Sequence, residues 1–119
     1  MGNFIIKRIQ SIRYAIKGFI ILVSTEPSIQ VQFTIAIIMA FAGFYFHISS
    51  NEWMFQILVI GLIMGLEGIN TAIEKTVDFI HPEHHHKIAR IKDIAAGSVL
   101  ITACAAIIVG GIIYIPKIF

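Results

Sequence analysis

The chain has 119 residues, of which 57% are apolar and only 13% are charged, and its formal net charge is +2. Soluble domains carry about 45–50% apolar and about 25% charged residues, and a chain this short has too little interior to bury the excess. This composition excludes an ordinary soluble domain, and the small charge excludes a dedicated nucleic-acid-binding protein. We predict one all-α domain, residues 1–119, embedded in a lipid bilayer.

The first predicted element is an amphipathic helix over residues 4–23. At 100° per residue its apolar side chains fall on one face and its polar side chains on the other. The polar face carries Lys7, Gln10, Arg13, Tyr14 and Lys17. A basic amphipathic helix of this kind lies in the membrane interface, although it could also pack against the rest of the bundle. The segment TEPS at 25–28 ends this helix, because proline disfavours helical geometry in the residue before it.

Three membrane-spanning helices are predicted next, at about 29–48, 53–73 and 94–115. About 20 helical residues cross a bilayer core, and only helices and closed barrels satisfy the backbone there. Small residues recur along the second and third spans and include the GxxxG pair Gly61 and Gly65. Small residues let membrane helices approach closely, so we expect a homo-oligomer.

The basic residues predict the orientation. Eight of the nine precede the first span or lie between the second and third, and only Lys117 follows the last span. The positive-inside rule assigns the side rich in Lys and Arg to the cytoplasm. We therefore expect a cytoplasmic N-terminus and an external C-terminus.

The segment EGINTAIEKTVD continues the second span and carries three carboxylates and an amide. Relative to Glu67, a helix places Asn70 at about −60°, Glu74 at about −20° and Asp78 at about +20°. These four residues therefore form one polar stripe, in which Glu67 is deepest in the membrane and Asp78 is nearest the water. A charged group inside the bilayer costs about 2.5–3.5 kcal/mol, so a stripe of them favours a shared polar cavity over simple polar contacts between helices.

Three chemistries suit such a cavity. Carboxylates bind Mg²⁺, usually one or two at a time with phosphate oxygens completing the shell. A buried carboxylate can act as a general base on a hydroxyl. It can also carry protons in a transporter, so a small proton- or metal-coupled transporter subunit is the main alternative to an enzyme. A non-catalytic membrane assembly subunit is a further one.

The loop DFIHPEHHHKIARIKD between the second and third spans helps to choose among these chemistries. Its Lys87, Arg90 and Lys92 lie beside Asp93, close to the acidic stripe. A nucleoside triphosphate needs such cations beside acids that hold Mg²⁺, and Glu26 could join Glu74 around that metal. The run HPEHHH also permits a transition-metal site, but a polar histidine-rich loop is the simpler interpretation.

The pattern ExxNTAIExxVD, followed by KD and then AAGSVL, resembles the prokaryotic diacylglycerol kinase family, which includes bacterial undecaprenol kinases. The resemblance covers essentially the whole chain. It implies ATP- and Mg²⁺-dependent phosphorylation of diacylglycerol or undecaprenol at the cytoplasmic face of the bacterial inner membrane. It also implies a homotrimer with sites between subunits.

The resemblance also implies residue roles. Glu67 would be the general base on the lipid hydroxyl, and Asn70 would orient the reacting groups. Glu26 and Glu74 would hold Mg²⁺. The remaining positions would contact the nucleotide: Tyr14, Glu83, His84, His85, Lys92 and Asp93.

Two departures from the family pattern concern the lipid headgroup. Lys7 and Arg8 both fit the place of an early arginine in the surface helix. Gln30 and Gln32 stand where the family often has an arginine and a histidine or glutamate. These departures leave both diacylglycerol and undecaprenol open as the acceptor.

Overall fold

The computed structural model describes residues 1–119 and consists of four α-helices. They are α1 (Gly2–Thr25), α2 (Pro27–Tyr45), α3 (Ser50–Ile80) and α4 (His86–Ile118). The predicted all-α architecture is confirmed. Three of the helices, α2, α3 and α4, are long and apolar enough to cross a membrane.

The break between α1 and α2 is confined to Glu26. Its backbone is extended, with φ −103° and ψ 111°, and its N–H donates to the carbonyl of Leu22 at 3.0 Å. Pro27 is the first residue of α2, a position that suits proline because the N–H it lacks would have no partner there. The predicted interruption at TEPS is confirmed. Glu26 is the one residue between the two helices.

The helices do not end where the predicted spans end. The first span was expected to reach residue 48, but α2 stops at Tyr45 and a turn follows in which His47 has φ 51°. Conversely, α3 continues seven residues past the predicted 73, and α4 begins eight residues before the predicted 94. Hydropathy marks the segment that lipid accepts, whereas a helix continues into polar sequence until its hydrogen bonding ends.

α3 and α4 form an antiparallel pair with constant register. Lys92 of α4 contacts Asp78 of α3, and Tyr114 of α4 contacts Gln56 of α3. Asp78 and Gln56 lie 22 residues apart on α3, and Lys92 and Tyr114 lie the same 22 residues apart on α4. Residues between these two contacts can therefore be placed level with one another.

A polar network joins α2 to this pair at the end far from the acidic stripe. The Tyr114 hydroxyl donates to Gln56 Oε1 at 2.6 Å, and Gln56 Nε2 donates to the Met39 carbonyl at 3.1 Å. Close by, Lys117 Nζ contacts both carboxylate oxygens of Glu52 at 2.8 and 3.1 Å. The three helices are thus fastened at one end.

Few side chains are buried within one chain. Only 11 of the 119 residues are buried, and large apolar side chains are exposed along all four helices. Such a surface is expected of a chain whose surroundings are lipid and other copies of itself. No residue of α1 is buried, so its interfacial orientation stays a prediction, as does the homotrimer.

Candidate functional site

The acidic stripe lies on one unbroken helix, α3, as the sequence predicted. Glu67 and Asn70 are buried, with 9% and 7% of their surface exposed, Glu74 is half-buried, and Asp78 is exposed. The first two residues of the stripe are therefore buried, and exposure increases through Glu74 to Asp78. Glu67 accepts no hydrogen bond from any other group of the chain.

Asn70 and Glu74 form the central contact of the stripe. Asn70 Nδ2 donates to Glu74 Oε1 at 3.4 Å, one helical turn away, while Asn70 Oδ1 is buried and has no partner. Buried polar atoms are nearly always hydrogen-bonded in native proteins. An unpaired acceptor beside two carboxylates is therefore suited to a ligand that brings a donor or a cation.

Glu26 reaches the stripe from the break between α1 and α2. Its Oε1 lies 3.3 Å from Nζ of Lys75, the residue that follows Glu74, and the Glu26 side chain is only 22% exposed. Two further contacts fix the break: Gln30 Nε2 donates to the Val23 carbonyl at 3.0 Å, and Leu22 packs against Gly68. The chain therefore places Glu26 beside Lys75, one residue beyond Glu74 on α3.

A second polar region is a cleft of about 230 Å³ at the connector between α3 and α4. It is lined by Asp78, Glu83, His84, His85 and Lys92, together with three smaller or apolar residues. Lys92 Nζ lies 2.6 Å from Asp78 Oδ1. The structure thus brings together four of the residues predicted to contact the nucleotide, with Asp78 as the partner of one of them.

The histidines of the connector have local structural roles. His85 is the N-cap of α4 and its Nδ1 accepts from the Lys87 N–H at 3.0 Å. His81 Nδ1 lies 2.9 Å from the Glu83 carbonyl oxygen. No three His, Cys, Asp or Glu side chains of the chain lie close enough together to hold a metal ion. The contacts of His81 and His85 are therefore local to the connector.

Two predicted site residues stand apart from these groups. Tyr14 is 70% exposed on α1, and Asp93 is exposed on α4. Neither makes a side-chain hydrogen bond or ion pair within the chain. Their partners would come from a bound molecule or from another copy of the chain.

Sequence reasoning missed the contacts that cross between helices. Gln56 and Tyr114 are buried polar residues in apolar segments, and that alone is a signal that they pair, because lipid offers them no partner. The pairing of Asp78 with Lys92 and of Glu26 with Lys75 left no comparable signal. Each joins residues on different helices, and helix periodicity gives no register between them.

Known proteins are similar to this chain over most of its length. The sequence matches the family described as prokaryotic diacylglycerol kinase over residues 13–114. It is 40% identical over 94 residues to undecaprenol kinase of Bacillus subtilis, a match that covers 79% of this chain and 76% of that protein. It is 34% identical over 109 residues to diacylglycerol kinase of Synechocystis, covering 91% of this chain and 62% of that protein. It is 31% identical over 107 residues to diacylglycerol kinase of Haemophilus influenzae, covering 89% and 91%.

Proposed function

The chain belongs to the prokaryotic diacylglycerol kinase family, and on that premise we propose that it phosphorylates a membrane lipid alcohol with ATP and Mg²⁺ at the cytoplasmic face. The family and the relatives make it a membrane lipid kinase. One observation carries the finer proposal. Glu67, a buried residue with no hydrogen-bond partner in the chain, lies on the same helix face as the Asn70–Glu74 pair, and Glu26 lies beside Lys75, the residue after Glu74.

In the proposed reaction Glu67 is the general base. The lipid hydroxyl gives its proton to the Glu67 carboxylate as its oxygen bonds to the terminal phosphorus of ATP. The bond from that phosphorus to the bridging oxygen breaks, and ADP leaves with the electron pair. The products are a lipid phosphate monoester and ADP. General base catalysis contributes typically about 10²–10⁴-fold to the rate.

The oxygen donors around Asn70 fit Mg²⁺. The ion prefers oxygen ligands and is usually held by one or two carboxylates together with substrate phosphates. Glu26 and Glu74 would supply the carboxylates, and the unpaired Oδ1 of Asn70 lies beside Glu74. Bound there, Mg²⁺ would neutralise charge on the phosphate oxygens. The ion pair with Lys75 holds Glu26 toward α3.

The cleft at the connector is the proposed nucleotide site. Lys92 supplies a cation for the phosphates, which a phosphoryl transfer needs because the reaction is promoted mainly by positioning and charge neutralisation. Glu83, His84 and His85 offer further polar groups in the same cleft. Tyr14 and Asp93, which have no partner within one chain, would complete the nucleotide contacts in a homotrimer.

Two acceptors are proposed, diacylglycerol and undecaprenol. The Bacillus relative is called an undecaprenol kinase, and the other two are called diacylglycerol kinases. Both acceptors place a hydroxyl at the membrane surface and a hydrocarbon chain in the bilayer, which agrees with a base buried in an apolar helix.

The proposal is tested with the purified protein in lipid vesicles. Each acceptor is supplied in turn with ATP labelled on the terminal phosphate, with and without Mg²⁺. Labelled phosphatidic acid or undecaprenyl phosphate, formed only when Mg²⁺ is present, supports the proposal. Absence of label in both lipids contradicts it.

A further inference from the structure

An apolar slot between α2, α3 and α4 has no part in the chemistry described above. Its volume is about 380 Å³, and 11 of its 14 lining residues are hydrophobic. Gln32, Met39, Gln56 and Gly110 are among them. Apolar walls offer water no hydrogen bonds, whereas a hydrocarbon chain makes favourable dispersion contacts with apolar side chains.

The slot continues the acidic stripe along α3. The four slot residues of α3 are Gln56, Val59, Ile60 and Ile63. At 100° per residue they fall at about −20°, −80°, +20° and −40° from Glu67, on the side of the helix that carries the stripe. Ile63 precedes Glu67 by about 6 Å along the helix axis. A molecule whose polar end lies at Glu67 would therefore have the apolar slot beside it on the same face of α3.

The two ends of the slot differ. At the end near the stripe, Gln32 of α2 carries a buried Oε1 that has no hydrogen-bond partner. At the other end, the network of Tyr114, Gln56 and the Met39 carbonyl closes the space. The distance along α3 from Ile63 to Gln56 is about 10 Å. The slot therefore has an unpaired polar atom at the end nearer Glu67 and a hydrogen-bonded network at the end farther from it.

We propose that this slot holds the hydrocarbon chain of the acceptor lipid while its hydroxyl lies at Glu67, so that the slot sets the enzyme's preference for chain length. The inference rests on the proposed function. A helix from a second copy is the other candidate occupant. The position of the slot on the face of α3 that carries Glu67 favours the acceptor lipid, and the oligomeric mass measured below distinguishes the two occupants.

Gly110 offers a way to fill the slot. A Cβ added at Gly110, which lines the slot, meets no heavy atom within 4 Å. Gly110 lies four residues before Tyr114, and Ile60 lies four residues after Gln56, so these two are level with each other. Both are about 10 Å beyond Glu67. Gly110→Phe would therefore block the outer part of the slot and leave the reactive carboxylate accessible.

The test compares Gly110→Phe with Ala105→Phe, which adds the same ring at an exposed position of α4 outside the slot. Phosphorylation of a short-chain and a long-chain diacylglycerol is measured in vesicles of fixed composition. We expect Gly110→Phe to lower kcat/KM for the long-chain acceptor about tenfold or more and to leave the short-chain value unchanged. Ala105→Phe should change neither. The oligomeric mass of all three proteins is measured in the same detergent.

A second measurement uses the unaltered protein. A diacylglycerol with a photoreactive group at the end of one chain is cross-linked in vesicles, and the labelled peptides are identified by mass spectrometry. Label on slot residues of α3 and α4 that excess long-chain acceptor suppresses supports the inference.

Other outcomes overturn the inference. One is unchanged chain-length preference in an active Gly110→Phe protein together with no suppressible label in the slot. Another is a changed oligomeric mass for Gly110→Phe alone, which would assign the slot to a second copy. If the unaltered protein phosphorylates neither diacylglycerol nor undecaprenol, the proposed function fails as well, so the two failures are distinguishable.

Discussion

Lys92 of α4 and Asp78 of α3 form an ion pair with 2.6 Å between Nζ and Oδ1 at the edge of the connector cleft. The pair holds the cation proposed for the nucleotide phosphates at the end of the helix that carries the proposed base. It also fixes the register of α3 against α4 at this end of the bundle. One contact therefore links the membrane-embedded stripe to the polar cleft.

Asp78→Asn should have a small effect. Both side chains are partly exposed, at 35% for Lys92 and 55% for Asp78, and such pairs contribute roughly 0–1 kcal/mol to stability. We expect the KM for ATP to change about threefold at most, with little change in thermal stability. Lys92→Ala should lower kcat/KM for ATP by about 10² or more, because it removes charge stabilisation from the transferring group. Equal losses in the two variants would show instead that Asp78 itself contacts the nucleotide.

Glu26→Gln should weaken the use of Mg²⁺. The amide keeps the shape of the side chain and removes the charge that the ion needs. We expect the Mg²⁺ concentration for half-maximal rate to rise about tenfold. Lys75→Gln is the control, because it removes the partner of Glu26 in an ion pair whose lysine is 67% exposed, and it should leave the Mg²⁺ dependence within about twofold. Unchanged Mg²⁺ dependence in Glu26→Gln would remove Glu26 from the metal site.

Tyr114→Phe should destabilise the bundle without slowing the reaction. It leaves Gln56 Oε1 buried with no donor, and side-chain hydrogen bonds between membrane helices are worth about 0.6 kcal/mol on average and up to about 1.7 kcal/mol. Gln56 precedes Glu67 by about 16 Å along α3. We therefore expect a lower unfolding temperature in detergent and a kcat close to that of the unaltered protein. A large loss of kcat in a protein of unchanged stability would contradict this assignment.

Gly43→Ala should destabilise the protein although it adds only one methyl group. A Cβ at Gly43 would lie 2.6 Å from two ring atoms of Trp53, so the indole must move. Overpacking of this kind costs typically about 1–3 kcal/mol. Gly18→Ala on α1 is the control, because its Cβ would also meet nothing within 4 Å and it lies outside the three apolar helices. Thermal unfolding of both variants should separate them, and equal stabilities would contradict the close packing of Trp53 on α2.

The sequence predicted what depends on one helix at a time. The stripe from Glu67 to Asp78, the break at TEPS and the three apolar helices all follow from periodicity, proline chemistry and hydropathy, and all are found in the structure. The first predicted span was three residues too long at its end, because the turn at His47 lies within apolar sequence. Hydropathy does not distinguish an apolar helix from an apolar turn.

The contacts between helices could not be predicted from the sequence. The pairs Asp78–Lys92, Glu26–Lys75 and Gln56–Tyr114 each depend on how far one helix is shifted along another. That shift is set by the packing of many side chains together and leaves no period in the sequence. The same reason explains why the slot and the connector cleft emerge only from the structure.

The central claim is that Glu67 is the base that accepts the proton of the lipid hydroxyl. The most direct measurement is transfer of label from ATP to the lipid by Glu67→Gln in vesicles at saturating Mg²⁺, beside Glu52→Gln as the control. Glu52 lies on the same helix in the ion pair with Lys117, far from the stripe. We predict that Glu67→Gln lowers kcat by about 10²–10⁴ with an unchanged KM for ATP, and that Glu52→Gln retains its rate. A Glu67→Gln protein that phosphorylates lipid at a near-normal rate would contradict the account.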